Sequence, residues 1–229
     1  MALGKTVLGA DRTHVLASNT TYEVPLGTNH RFLANAPGWA QRIIGGWQIS
    51  SLTSWQSGAP LSFTVTGIGT LYNSATNTVD QVAAMPKGEV FKGNNFVSFF
   101  NGLTTARGPA PAFGADAATL QGVYTNQVLL DASGNVIMQD PTPGRVGTMS
   151  SNSPSIRGPG MLSFNGALTK SVRITEGKTF TLRMDVINVL NKPQWGNPNV
   201  NINGSTFGRI TSVIGNQQRL VTLNARIDF

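Results

Sequence analysis

The chain has 229 residues, 40% hydrophobic and only 12% charged, with 26 Gly, 12 Pro and no Cys. A soluble domain usually carries about 25% charged residues; a coat of Ser, Thr, Asn, Gln and Gly suits either a wall between lipid and water or a secreted β-sandwich. The missing cysteines exclude disulfides and thiolate metal sites, and the net charge of +7, scattered singly from Lys5 to Arg226, lacks the basic stripe of a nucleic-acid binder.

No run of 18 apolar residues is present, so no transmembrane helix is expected. Residues Met1–Lys5 have no apolar core followed by a cleavage site, so an exported chain is expected to begin upstream of Met1.

In chain order, residues 14–24 read as a weak strand, with Leu16, Tyr22 and Val24 on one side and Asn19 and Glu23 on the other. A link, Gly27–Gly45, follows and holds a short amphipathic segment at Trp39–Ile44. Residues 47–66 carry the longest alternation, because a strand sends successive side chains to opposite faces. Odd positions include Trp47, Ile49, Trp55, Leu61, Phe63 and Val65; even positions are mostly Gln, Ser and Thr. The run is longer than the ~9–11 residues that cross a bilayer, and Pro60 predicts a break or bulge nearby. Trp47 and Trp55 share a face. At ~3.3 Å per residue and a tilt of ~40°, their heights differ by roughly 20 Å, close to the spacing of two aromatic girdles.

Residues 67–160 read as one long, poorly periodic loop. Within it, Val128–Leu130 and Val136–Met138 flank Asp131-Ala132-Ser133-Gly134-Asn135, a small hairpin pattern. Residues 161–174 form a further strand with Leu162, Phe164, Leu168, Val172 and Ile174 on one parity. Lys170 falls on that apolar parity, to be accommodated by snorkelling or by a bulge. A tight turn at Thr175–Lys178 leads to a strand at 179–187, with Phe180, Leu182, Met184 and Val186 opposite Thr179, Thr181, Arg183 and Asp185. Residues 191–216 read as a second long loop. The final strand, 217–229, sets Val221, Leu223, Ala225, Ile227 and Phe229 against Thr222, Asn224, Arg226 and Asp228.

Alternation alone fits a half-buried sandwich strand equally well. The order of long and short connections adds that, if the chain ends in the periplasm, both long loops lie outside the cell, as in transmembrane barrels. The expected fold is therefore all-β: an antiparallel transmembrane barrel segment of about five strands. Known single-chain bacterial barrels start at about eight strands, so five form an incomplete barrel, and the chain is a piece of one or pairs with another chain.

Four stretches carry a resemblance. Gly45-Gly46-Trp47-Gln48-Ile49-Ser50 with Trp55-Gln56-Ser57-Gly58-Ala59-Pro60-Leu61, Ser155-Ile156-Arg157-Gly158-Pro159-Gly160, Asn188–Pro198 (NVLNKPQWGNP) and Phe207-Gly208-Arg209-Ile210-Thr211 resemble the C-terminal barrel region of TonB-dependent receptors of the Oar-like, carboxypeptidase-regulatory-like family. The resemblance implies an outer-membrane location and energy-coupled transport of an unknown ligand through a plugged barrel of about 22 strands. It further implies contact with outer-membrane lipid, with the barrel-assembly machinery and, through regions outside this chain, with the TonB system. Val221, Leu223, Ala225, Ile227 and Phe229 fit the family's C-terminal assembly signal, although no aromatic precedes Phe229 in that strand.

No catalytic, cofactor-binding or metal-binding residue is assigned. The carboxylates form no acid–base pair, His14 and His30 stand apart without a ligand motif, and Gly67-Ile68-Gly69 lacks the rest of a dinucleotide fingerprint. The chain is expected not to be an enzyme. Arg183, Asp185, Asn224, Arg226 and Asp228 are the candidate lumen-facing positions, expected to pair across neighbouring strands and solvate an interior. The competing readings are a secreted all-β binding or adhesion module and a barrel-embedded hydrolase.

Overall fold

A computed structural model describes residues 6–65, 78–108, 126–141, 147–215 and 218–229. Gly67-Ile68-Gly69 and parts of the two long connections lie outside the described residues. The elements in chain order are β1 (Val15–Glu23), α1 (Gly38–Ile44), β2 (Trp47–Gln56), β3 (Pro60–Leu61), β4 (Asp80–Gln81), β5 (Phe91–Lys92), β6 (Val97–Ser98), β7 (Thr104–Arg107), β8 (Gln127–Leu130), β9 (Val136–Gln139), β10 (Ser153–Arg157), β11 (Met161–Thr175), β12 (Lys178–Ile187), β13 (Arg209–Ile210) and β14 (Leu220–Asp228). The chain divides into two compact units.

One unit (residues 14–56, 161–194 and 214–229) is an antiparallel five-stranded sheet in the order β1-β2-β11-β12-β14. The sheet does not close: β1 and β14 are its edges. β1, β2, β12 and β14 have 9, 10, 10 and 9 residues, the length that crosses a bilayer when tilted, ~9–11 residues. β11 and β12 join through Glu176-Gly177, with Gly177 at φ 82° and a register shift between Arg173 and Thr175. Gly there supplies the left-handed conformation at no steric cost.

β2 stops at Gln56, so the alternation of residues 47–66 is not a single strand. Pro60 and Leu61 pair instead with β10, in a separate two-stranded sheet. The break comes before Pro60, where the backbones of Gly58 and Gly158 meet so closely that a Cβ on Gly58 would overlap the Gly158 carbonyl.

The other unit (residues 1–13, 57–160 and 195–213) corrects the expectation of two open loops. Its strands form small sheets ordered β10-β3, β13-β6-β5 and β4-β9-β8-β7. The predicted hairpin is present as β8 and β9, closed by Asp131, whose carboxylate accepts from the backbone of Ser133 and Asn135 at 2.8 Å each. Leu61, Phe63, Val79, Phe99, Leu129, Met138, Ile156, Ile202 and Ile210 are among its core residues, and Phe100 stacks on Phe207 with ring centres 5.9 Å apart. All the buried apolar residues among those described belong to this unit.

Candidate functional site

Residues paired directly across an antiparallel ladder point to the same face. The registers can therefore be followed from strand to strand. One row runs Leu16, Trp55, Leu162; the next complete row runs Tyr22, Ile49, Leu168, Met184, Leu223; others run Lys170, Leu182, Ala225 beside Trp47, and Val172, Phe180, Ile227. The apolar parities read from the sequence fall on this one face within these five strands. It is not covered: Trp55 is 41% exposed, Val221 51% and Leu223 67%. A soluble sandwich would bury these positions between its sheets.

Trp47 and Trp55 stand on this apolar face at opposite ends of β2. Trp55 stacks against His14, ring centres 6.3 Å apart. Trp47 donates its indole N–H to the Ile43 carbonyl at 2.9 Å. Lys170 keeps the register of its neighbours, so no bulge re-aims it. Nor does it reach for open water: it is 8% exposed, its ammonium donates to the Gly45 carbonyl, and it sits 5.4 Å from the Trp47 ring centre. An ammonium on a greasy face is thus given a carbonyl and an aromatic face as partners. Gly46 makes that junction fit: its φ is +69°, it accepts from the Ser171 N–H at 2.9 Å, and a Cβ would strike the Ser171 carbonyl. Phe229 lies just past β14, 90% exposed, with the Lys178 ammonium 5.6 Å from its ring centre. Val221, Leu223, Ala225 and Ile227 line the same face along β14.

The opposite face carries Asn19, Glu23, Gln48, Ser50, Thr169, Arg173, Thr181 and the five polar candidates. Arg183 holds Asp185 with its Nε at 2.9 Å and its Nη2 at 2.7 Å, and Asn224 adds a cross-strand contact to Asp185 at 3.4 Å. Arg226 pairs with Asp228 at 2.5 Å. The ion pairs therefore run along single strands, two residues apart. Pairing across strands is present at Asn224–Asp185, while the ion pairs lie along the strand because Arg183 faces Asn224 and Thr169, not an acid, in the register. Such exposed pairs contribute little to stability, ~0.2–1 kcal/mol each; their effect is to line one face with fixed charge and water-binding groups.

The NKPQW stretch has a local explanation that its composition did not reveal. Asn188 and Asn191 both adopt left-handed backbone, φ 52° and 50°. The Asn188 amide oxygen accepts from the Lys192 N–H at 3.1 Å. This turn presents Gln194 to β11: its carboxamide accepts from the Leu162 N–H at 2.8 Å and donates to the Leu162 carbonyl at 2.5 Å. A side chain thus completes the ladder where β12 has already ended.

The second unit holds a cleft of about 690 Å³ whose lining includes Met85, Lys87, Glu89, Phe99, Arg157 and Trp195. Its size lies within the ~300–1,000 Å³ of small-ligand sites. Arg157 is fixed there by Asp11 at 2.6 Å and donates to the Gly58 carbonyl at 3.3 Å. Elsewhere in this unit Asp140 is buried, accepting from the Gln127 N–H at 2.9 Å and from the Asn203 amide at 3.0 Å. Burial pushes its carboxyl up to about 6 although both donors favour the charged form.

A family model described as an outer membrane beta barrel domain matches residues 2–222 of the chain. Comparison with curated proteins and with solved structures gave no match. The chain belongs to the outer membrane beta barrel domain family.

Proposed function

We propose that this member of the outer membrane beta barrel family is part of the wall, with an attached external ligand-handling unit, of a TonB-dependent receptor of the Oar-like kind. Its role is to let a ligand cross the outer membrane by energy-coupled transport. The observation that carries the reading is the registered sheet: five strands with one exposed apolar face and one polar, charged face. Lipid on one side and an aqueous interior on the other is the environment that satisfies both.

The receptor assignment is supported by where the resembling motifs fall. Gly45-Gly46-Trp47 and the Gln56–Gly58 step bracket β2, Gly158–Gly160 precedes β11, and Asn188–Gln194 closes the top of β12. The three segments of the second unit precede β1, join β2 to β11 and join β12 to β14. By connectivity all of them attach at the strand ends opposite the Glu176-Gly177 turn. In the proposed orientation that end is extracellular, and the cleft near Arg157 and Trp195 is a ligand contact. The function is non-enzymatic. The partners are outer-membrane lipid, the barrel-assembly machinery acting on β14 and Phe229, and the TonB system through regions other than these residues. A five-stranded sheet leaves two edges whose backbone groups cannot stay unpaired in hydrocarbon, so further strands flank β1 and β14.

Sequencing the coding DNA on the Met1 side tests the assignment. The expected result is an in-frame plug domain and about 17 further strands, completing the ~22 of such a barrel. A stop codon and promoter directly before Met1 would remove the receptor reading.

A further inference from the structure

The link between β1 and β2 is built like a surface-seeking element. It contains no Asp or Glu from Val24 to Gly46, but carries His30, Arg31 and Arg42. It exposes Phe32 (53%), Leu33 (59%), Trp39 (72%) and Ile43 (61%). Trp39 and Ile43 are four apart in α1 and so lie on one side of it. The segment is nevertheless tied together by hydrogen bonds. The Gln41 amide donates to the carbonyls of Leu33, Ala34 and Ala36 at 2.9, 2.8 and 3.2 Å, and Gly27 donates to the Phe32 carbonyl at 3.0 Å. Arg31 lies 5.8 Å from the Phe32 ring centre. A hydrogen-bonded link that displays large apolar side chains to water is unusual without a partner.

Its attachment identifies the side of the sheet. The Ile43 carbonyl is held by the Trp47 indole and the Gly45 carbonyl by the Lys170 ammonium. Both donors belong to the apolar face, in one row with Leu182 and Ala225. The C-terminal end of α1 is therefore moored to the apolar face, at the strand ends that carry the Glu176-Gly177 turn.

We infer that residues 24–46 are an interfacial anchor lying among the phospholipid head groups, with Trp39 and Ile43 entering the acyl boundary and Arg31 and Arg42 on anionic lipid phosphates. Amphipathic segments of this composition lie in the interface plane, and each basic residue near an anionic surface strengthens binding by about fivefold. The inference rests on the reading that the sheet's apolar face meets lipid, and it adds a specific lipid contact to that face. Lys170 and Trp47 then act as the mooring that fixes the depth of the anchor.

The chain has no cysteine, so single spin labels can be placed cleanly. The whole barrel of which these residues are part, with any cysteine outside them replaced by serine and carrying Ile43→Cys or Leu223→Cys, is reconstituted in phosphatidylcholine vesicles with and without phosphatidylglycerol. Collision with oxygen, which concentrates in lipid, is compared with collision with a water-soluble nickel chelate. The expected result is a deep Leu223 label and a shallow but oxygen-favoured Ile43 label. Arg31→Gln and Arg42→Gln are each expected to cost about fivefold of the preference for phosphatidylglycerol. A deep Leu223 label with a chelate-accessible Ile43 label overturns the anchor and leaves the wall intact. A chelate-accessible Leu223 label, or a chain that does not float with the vesicles, removes the wall and the anchor together.

Discussion

Residues 47–65 alternate apolar and polar almost without interruption, yet the two halves of the run end in opposite surroundings. Ile49 and Trp55 in the first half are exposed, whereas Leu61, Phe63 and Val65 in the second are 2%, 0% and 6% exposed. The first half lies in a sheet with no protein core on its apolar face. The second half enters a unit whose core is assembled from distant segments, including Val79, Phe99, Leu129 and Ile202. Alternation therefore reports that a strand has two unlike faces; it does not report which apolar phase the greasy face meets. The two halves of one period-two run thus end in different surroundings: an uncovered apolar face in the sheet and packed side chains in the other unit.

That contrast can be broken by substitution. The largest effect is expected for Phe63→Ala, which empties the centre of the packed unit and should cost about 3–5 kcal/mol. Amide exchange at Leu129 and Met138 would accelerate while exchange in β11 and β12 stays unchanged. Equal acceleration in the sheet would show that the two units do not owe their stability to separate sources.

Next comes Leu223→Arg, in the row through Ile49, Leu168 and Met184. A cation on a lipid face near the midplane costs about 2–4 kcal/mol. Thr222→Arg, one residue away on the polar face, is expected to be nearly neutral. Comparable losses of insertion into vesicles for both would contradict the assignment of faces.

Asp140 sharpens the packed half. Its carboxyl is raised to about 6 by burial, opposed by donors from Gln127 and Asn203, so the folded unit holds the proton more tightly than the unfolded chain. Its contribution to stability is full below about pH 4 and is lost as pH rises through about 6. The difference between the ends of that window is on the order of 2–3 kcal/mol. Denaturation of Asp140→Asn should be flatter across this range than that of the parent chain, and an unchanged pH profile would remove Asp140 as the source.

The smallest change is expected at the polar face. Arg183→Gln breaks an exposed pair and should cost less than about 1 kcal/mol, visible as a slight shift in unfolding from lipid and as no change in the exchange of the packed unit.

The sheet was largely legible because its strands are long and strictly two-faced: β11 and β14 begin and end within three residues of the boundaries expected from alternation. The packed unit was not legible. β4, β5, β6 and β13 have two residues each, too few to show a period, and their core comes together only through distant contacts. Gln194 was missed for the same reason, since its partner Leu162 lies 32 positions away. The partners of Lys170 and Trp47 at the end of α1 are likewise invisible in a linear pattern. The polar candidates share one face, as their parity implies, but which groups lie across the neighbouring strands from them depends on register, which sequence parity does not fix.

The central claim is that the rows containing Leu223, Ile49 and Phe180 face acyl chains. A fluorophore placed by single cysteine substitution at each position from Leu220 to Asp228, in the whole barrel reconstituted in lipid, tests it most directly. The account predicts quenching that alternates residue by residue: Val221, Leu223, Ala225 and Ile227 by nitroxides on acyl chains, and Thr222, Asn224 and Arg226 by aqueous iodide. Iodide quenching at every position, or the reverse alternation, would contradict it.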